Sequence, residues 1–254
     1  MRPPRPHSGR ARRAAAALVA VAALALAGCG LAGGPDRPER DATLMLDSRP
    51  RGLHAGIALT VARDFDGAEG VHLRLRVPTS PGRPADALRR GRADFAVLDI
   101  HDLARARERG HDLVGVMALV QRPMPALRPA PIRALRIDDT GAPPYPELVL
   151  SVTRRTLDEE RNVVRATVVA LRRGYGEALA DPESAISALV ERYPRLDRTA
   201  MQRSFDAVAP ALTEGTPTFG RLRPAQLRAW ARWEAQEGVT KRPPDVAKAF
   251  AAGF

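Results

Sequence analysis

The chain has 254 residues, of which 44% are hydrophobic and 4% aromatic, and its formal net charge is +11. This hydrophobic content supports a folded core and excludes a wholly disordered chain. The charge does not indicate nucleic-acid binding, because the arginines are scattered among acidic residues and few aromatic side chains are present for base stacking.

The first 28 residues have the organisation of a signal peptide. Five arginines and no acidic residue precede Cys29, and an uninterrupted apolar stretch covers residues 14–27. This stretch is too short to span a bilayer as a permanent helix, which needs about 20 residues. The sequence therefore predicts a cleaved leader over residues 1–28, and the rest of the chain carries 35 basic and 29 acidic residues.

The leader ends at Leu26-Ala27-Gly28-Cys29, which resembles the lipobox of bacterial lipoproteins, where the cysteine becomes the acylated first residue. Cys29 is the only cysteine, so it has no disulfide partner and cannot build a thiolate metal site. Each acyl methylene buried in a bilayer contributes about 0.8 kcal/mol. We therefore expect an exported protein, lipid-anchored at the outer face of the cytoplasmic membrane, with residues 29–42 as a flexible tether. An ordinary secretory signal with a chance cysteine is the alternative.

Short strands alternate with helices over the first part of the mature chain. Periodicity and turn residues predict strands at 43–47, 71–77, 94–98 and 113–120, and helices at 54–65, 84–90 and 101–109. This alternation favours a parallel sheet with helices on its faces. In such sheets ligands bind beyond the carboxyl ends of the strands, where we expect Asp47, Asp99 and the loop 48–54.

The second half of the chain is predicted to be mainly helical. Four prolines between residues 122 and 131 interrupt regular structure, and strand candidates follow at 132–137 and 148–152. Thr156-Leu157-Asp158-Glu159 has capping-box spacing, which predicts a long helix from Thr156. Further helices are expected after Asp181-Pro182 and at 199–208 and 224–236.

Two sets of residues have structural rather than functional interpretations. Trp230 and Trp233 lie three apart on the last predicted helix, which favours core packing over a ligand platform. The pairs His101-Asp102 and His111-Asp112 lack metal-ligand spacing and are interpreted as helix and strand ends. We expect no metal and no cofactor.

Several stretches resemble the thiamine-pyrimidine-synthase-like branch of the ABC-transporter solute-binding proteins. The resemblance covers residues 46–57, 87–97, 116–123 and 136–150, and with the helical tail it extends over nearly all of the mature chain. It implies a type II periplasmic-binding-protein fold, in which two α/β lobes close on a small molecule. It also implies ligand contacts at Asp47, His54, Tyr145 and Glu147. Ser48 and Asp99 join these candidates by their place at strand ends.

The chain departs from the family pattern in two places. Ser48 stands where the family has tryptophan and Arg51 where it has asparagine, so the ring that would stack on a flat ligand is absent. Between residues 127 and 132 the chain lacks most of a second α/β lobe. The predicted organisation is a first α/β lobe over 43–127, a crossover and lobe remnant over 128–152, and a helical region over 153–254 whose apolar faces lose part of their cover.

The candidate ligand residues also have structural interpretations. Asp47 is suited to cap the following helix, and His54 to bond locally in its first turn. Tyr145 and Glu147 are equally compatible with a loop surface. These alternatives stay open at the level of sequence.

The resemblance implies a binding function without chemical conversion. The expected solute is a thiamine-precursor aminopyrimidine or a comparable small heteroaromatic, delivered to an ABC permease and ATPase. Synthesis of the pyrimidine from pyridoxal phosphate needs a Schiff-base lysine, and the only lysines are Lys241 and Lys248, far along the chain. The alternative is a degenerate, truncated family member, in which loss of about 4 kcal/mol would turn a micromolar site into a millimolar one.

Overall fold

The computed structural model describes Met1 and residues 40–80, 83–123, 141–214 and 218–254. The predicted leader, Cys29, nearly all of the tether, and residues 128–140 of the crossover with its strand candidate lie outside these residues. The described residues from Arg40 onward belong to one compact unit. Among the described residues, none of the helices has the length and apolar character needed to cross a membrane.

Five strands in the described part of the chain form one mixed sheet. They are β1 (Arg40–Met45), β2 (Val71–Arg76), β3 (Phe95–Asp99), β4 (Leu113–Val120) and β5 (Leu148–Thr153), in the spatial order β2-β1-β3-β5-β4. β1 pairs in parallel with β2 and β3, whereas β5 is antiparallel to β3 and β4. The α/β class is thus confirmed, but the expectation of a parallel sheet is wrong at β5. The chain leaves β4 and enters β5 at the same edge of the sheet, so β5 runs in the opposite direction.

Helices cover both faces of this sheet. In chain order they are a 3₁₀ turn (Gly52–His54), α1 (Ala55–Ala62), α2 (Phe65–Ala68), α3 (Arg83–Arg89), α4 (Ile100–Glu108), α5 (Arg154–Glu159), α6 (Arg161–Ala180), α7 (Pro182–Arg192), α8 (Arg198–Leu212), α9 (Pro224–Gln236) and α10 (Val246–Ala249). α1, α6, α7 and α8 pack in one core cluster with Phe95 and Val97 of β3. α3, α4, α9 and α10 pack in a second cluster with Ala96 and Leu98, because successive strand side chains point to opposite faces.

The helical second half is packed against the sheet rather than left uncovered. Val164, Val168 and Leu171 of α6 are at most 1% exposed and belong to the same core as the strands. Apart from Met1, the large hydrophobic side chains exposed among the described residues are Val77 and Val169. The expectation that the apolar faces of the helical region lose their cover is therefore wrong for this part of the chain.

The start of the long helix differs from its prediction. Thr153, not Thr156, is the N-cap, since its Oγ1 accepts the backbone N–H of Thr156 at 3.0 Å. Glu160 then leaves helical geometry and separates α5 from α6. The predicted cap at Asp181 is confirmed, because its Oδ1 accepts the N–H of Ser184 at 3.1 Å.

Candidate functional site

The carboxyl edge of the sheet brings the predicted ligand residues together. Asp99 ends β3, and both Asp99 and Val120 pair with Leu148 at the start of β5. The backbone N–H of Ile100 donates to the Glu147 carbonyl at 3.1 Å, and the Glu147 N–H donates to the Val120 carbonyl at 2.9 Å. The loop after β1 reaches the same edge, since β1 is the parallel neighbour of β3. The candidates at this edge are Asp47, Ser48, His54, Asp99, Tyr145 and Glu147.

The loop after β1 closes on a hydrogen-bonded group of Asp47, Arg51 and His54, here called the Asp47 cluster. Asp47 Oδ1 lies 2.7 Å from His54 Nε2, and Asp47 Oδ2 accepts from Arg51 at 2.6 Å. The backbone N–H of Arg51 donates to His54 Nδ1 at 3.1 Å. Because Nδ1 accepts this N–H, the proton between the ring and the carboxylate lies on Nε2, and His54 donates to Asp47. Asp47 therefore organises the loop through side chains and does not cap the helix.

Two helices from the second half of the chain hold this loop in place. The Gly52 N–H donates to Ser204 Oγ of α8 at 3.1 Å, and Tyr175 of α6 donates its hydroxyl proton to the Leu53 carbonyl at 2.9 Å. A Cβ atom on Gly52 would lie 2.2 Å from the Phe205 nitrogen, so glycine is required for this close approach. The candidate site thus depends on helices that are remote in sequence.

The pKa of the Asp47 carboxyl lies well below its usual value. Burial favours its neutral form, but His54 and Arg51 outweigh burial and lower the pKa of Asp47 to about 2. Its side chain is only 12% exposed, so solvent screens these contacts little.

The lowered pKa predicts a stability loss in acid. The contribution of Asp47 is complete above the unfolded pKa and disappears as pH falls through the folded pKa, so about 2 kcal/mol is lost between pH 4 and pH 2. We expect the difference in unfolding free energy between the wild type and Asp47→Asn to shrink by about 1 kcal/mol from pH 5 to pH 3. Urea titrations of both proteins measure it, and identical pH profiles would contradict this assignment.

A second group, here called the His101 cluster, consists of His101, Tyr145, Trp230, Trp233 and Glu234. His101 Nδ1 lies 2.6 Å from Glu234 Oε2, and His101 Nε2 lies 3.2 Å from the Tyr145 hydroxyl. The rings of Tyr145 and Trp233 stack at a centroid distance of 5.7 Å and an angle of 24°. His101 is 7% exposed, and Tyr145 and Glu234 are fully buried. The cluster therefore joins the start of α4, the segment before β5, and α9.

The remaining candidates have local partners. Asp99 is the N-cap of α4, where its Oδ1 accepts the His101 N–H at 2.8 Å. The Ser48 hydroxyl donates to the Arg49 carbonyl at 3.2 Å. Glu147 is 2% exposed and Tyr145 fully buried, so the interpretation of both as loop surface is wrong. Burial and the neighbouring Asp99 carboxylate raise the pKa of Asp102.

The sequence analysis did not predict Glu234 as the hydrogen-bonding partner of His101. It interpreted His101 as a helix end, which matches its place in α4, but 133 positions separate His101 from Glu234. The only local signal was the grouping of Trp230, Trp233 and Glu234 on one predicted helix. Among the described residues, no group of three or more His, Cys, Asp or Glu side chains is arranged to hold a metal ion.

Solved structures define the fold class of this protein. The ligand-binding component of an ABC-type import system from Staphylococcus aureus, with zinc bound, has 13% identity and a TM-score of 0.62 over 84% of this chain and 96% of that chain. The alkanesulfonate-binding protein SsuA from Xanthomonas axonopodis pv. citri, bound to MOPS, has 11% identity and a TM-score of 0.60 over 85% and 99%.

A third structure, the CA3427 gene product of Candida albicans, is described as having the generic periplasmic binding protein fold. It has 9% identity and a TM-score of 0.56 over 85% of this chain and 96% of that chain. At such identities the likeness concerns the fold alone, and the chain has the periplasmic-binding-protein fold.

The family follows from a sequence comparison. Residues 52–128 and 126–185 match the family model described as NMT1/THI5 like. The matched residues are more than half of the chain, and the protein belongs to the NMT1/THI5-like family. No curated protein matches the sequence.

Proposed function

We propose that this protein is the solute-binding component of an ABC importer, which captures a small molecule and passes it unchanged to a permease and ATPase. The observation that carries the proposal is the location of the Asp47 and His101 clusters at the carboxyl edge of a periplasmic-binding-protein sheet. This edge is where α/β sheets bind ligands. Family membership and the import-system names of the similar structures support the same function.

The proposed solute is a thiamine-precursor aminopyrimidine or a similar small heteroaromatic. The site offers groups suited to such a ligand, namely carboxylates that accept from N–H groups, and aromatic rings that pack against a flat heterocycle. Binding requires no chemical step and no cofactor. The candidate contacts remain Asp47, Ser48, His54, Asp99, Tyr145 and Glu147.

A thermal-shift panel on the purified mature protein tests the solute class. We expect 4-amino-2-methylpyrimidine to raise Tm, since a ligand at 100 times its Kd stabilises the native state by about 2.7 kcal/mol. Taurine and nitrate serve as comparison solutes, because SsuA and a nitrate-binding protein share the fold. A rise with an anion alone would contradict the heteroaromatic class, and a flat panel would contradict solute capture.

We also propose that the protein is a lipoprotein anchored through Cys29 at the outer face of the cytoplasmic membrane. The lipobox-like sequence and the absence of any other cysteine support this anchor. Metabolic labelling with radioactive palmitate should mark the wild type and not Cys29→Ser, which should be released from membranes. Equal fractionation of the two proteins would count against the anchor.

A truncated family member with weak or no solute binding is the second candidate. Both Asp47 oxygens already have partners within the chain, which favours this candidate. The shortened second lobe inferred from the sequence points the same way, because removal of a pocket wall exposes the ligand. Isothermal titration separates the candidates, since scavenging requires a micromolar Kd and the second candidate predicts a millimolar one.

A further inference from the structure

We propose that the solute is recognised at the His101 cluster, with Glu234 as the carboxylate that accepts its N–H groups and Trp233 stacked on Tyr145 as its aromatic platform. The inference rests on the proposed function and names the residues that determine its specificity. None of Glu234, Trp233 and His101 belongs to the set of ligand contacts that the family resemblance implies. The two clusters differ in how many of their buried polar atoms lack a hydrogen-bond partner.

Both Asp47 oxygens and both His54 nitrogens have partners inside the Asp47 cluster, and Arg51 Nε lacks one. Each Asp47 oxygen has a charged or ring N–H partner within 2.7 Å, and both nitrogens of His54 are used. A ligand N–H at Asp47 would compete with Arg51 and His54 for the same carboxylate. The Asp47 cluster is therefore suited to fixing the conformation of the loop after β1 rather than to binding a solute.

The His101 cluster has three buried polar atoms without partners, whereas the Asp47 cluster has one, Arg51 Nε. Glu234 Oε1, Trp230 Nε1 and Trp233 Nε1 have no hydrogen-bond partner among the described residues. They are three of ten such side-chain atoms in the described part of the chain, and they lie within five consecutive residues of α9. Buried polar groups are normally satisfied, so this concentration points to a bound group that the protein itself does not supply.

The three atoms define the chemistry of that group. The carboxylate oxygen accepts a hydrogen bond, and the two indole nitrogens donate. A matching ligand presents an N–H donor beside a ring-nitrogen acceptor, as a planar amino-substituted nitrogen heterocycle does. Sulfonates and nitrate lack the donor and would face a buried carboxylate, so they match poorly.

The aromatic platform lies between α9 and the segment before β5. The loop over residues 46–54 contains no aromatic ring apart from His54, whereas Trp233 stacks on Tyr145. Trp233 is only partly buried, and Trp230 is fully buried. His101, bonded to Glu234 and Tyr145, positions both side chains and acts through them.

Binding by two probes tests this assignment on the mature full chain. Isothermal titration with 4-amino-2-methylpyrimidine should show a Kd about 10- to 100-fold weaker for Glu234→Gln than for the wild type, because a charged hydrogen-bond acceptor is lost. Asp86→Asn, which alters an exposed pair with Arg89 outside both clusters, is the control and should change Kd less than about threefold. 2-Methylpyrimidine, which lacks the amino group, should bind the wild type and Glu234→Gln about equally.

Tryptophan fluorescence gives a second readout that does not depend on the carboxylate. The chain has only two tryptophans. Addition of 4-amino-2-methylpyrimidine should quench the emission of the Trp230→Phe variant, which retains Trp233. It should leave the emission of the Trp233→Phe variant unchanged. Circular dichroism checks that each variant is folded, and the fluorescence pair decides the outcome if Glu234→Gln does not fold.

The outcomes separate this inference from the proposed function. Two outcomes with a wild type that binds the aminopyrimidine would overturn the inference. In the first, Asp47→Asn abolishes binding and Glu234→Gln does not; in the second, the aminopyrimidine quenches Trp233→Phe, which retains Trp230, and not Trp230→Phe. In either case the His101 cluster is not the site, and the solute-binding function stands. If the wild type binds neither pyrimidine in titration or by fluorescence, the inference and the proposed solute class both fail. Loss of binding in Glu234→Gln together with quenching of Trp233 supports the inference.

Discussion

Replacement of His101 by alanine is expected to lower the free energy of unfolding by about 3–5 kcal/mol, because it leaves a buried carboxylate without its partner. Glu234 is fully buried, and its Oε2 lies 2.6 Å from His101 Nδ1. The substitution also removes the ring nitrogen that faces the Tyr145 hydroxyl. Urea denaturation followed by circular dichroism at pH 7 measures the loss.

A double variant distinguishes the lost partner from lost packing. In His101→Ala/Glu234→Gln the uncompensated charge is gone, so we expect it to be more stable than His101→Ala by about 1–2 kcal/mol. Asp86→Ala, which breaks the exposed i,i+3 pair with Arg89, is the matched control and should leave the urea midpoint unchanged within the error of the measurement. A loss below about 1 kcal/mol in His101→Ala would mean that Glu234 finds other partners.

Gly174→Ala is expected to destabilise the protein by about 2–3 kcal/mol, although alanine favours helices over glycine by about 1 kcal/mol. A Cβ atom at this position would lie 1.9 Å from Thr60 Oγ1 and 2.7 Å from the Gly56 carbonyl oxygen. Thr60 is buried and already donates to that carbonyl at 2.7 Å. The added methyl group would push α6 away from α1, which carries the loop of the Asp47 cluster.

Gly176→Ala is the matched control in the same helix. No heavy atom lies within 4 Å of a Cβ atom at this position, so alanine should stabilise the protein by about 0.5–1 kcal/mol. Thermal unfolding of the wild type, Gly174→Ala and Gly176→Ala measures the expected loss of stability in the first variant and the expected gain in the second. If both substitutions stabilise, α1 and α6 are not in the close contact described here.

Most elements of the fold followed from local patterns. The alternating residues of β2, the buried run of β4 and the Asp181-Pro182 start of α7 predicted these elements within one or two residues. These signals are local, because side-chain periodicity and capping depend on neighbours in sequence. The direction of β5 did not follow, since it depends on where the chain re-enters the sheet.

The place of Asp47 and Asp99 in the fold was predicted from the sequence, but their side-chain contacts were not. The strand-end rule correctly located Asp47 and Asp99 at the carboxyl edge. It carried no information on the pairing of Asp47 with both Arg51 and His54, or on the burial of Tyr145 against Trp233. These contacts depend on side-chain packing between elements, which a periodic pattern does not encode.

By itself the sequence determined the α/β class, the family resemblance and the polar residues that end the strands, because each is written in local order along the chain. Only the tertiary structure decided which polar side chains form hydrogen bonds within the chain and which buried polar atoms have no partner. The His101–Glu234 pair joins residues 133 positions apart, and α8 and α6 hold a loop that lies over 120 positions away. Such contacts arise when helices dock on the sheet and bury their polar groups together, and this step has no sequence signal of its own.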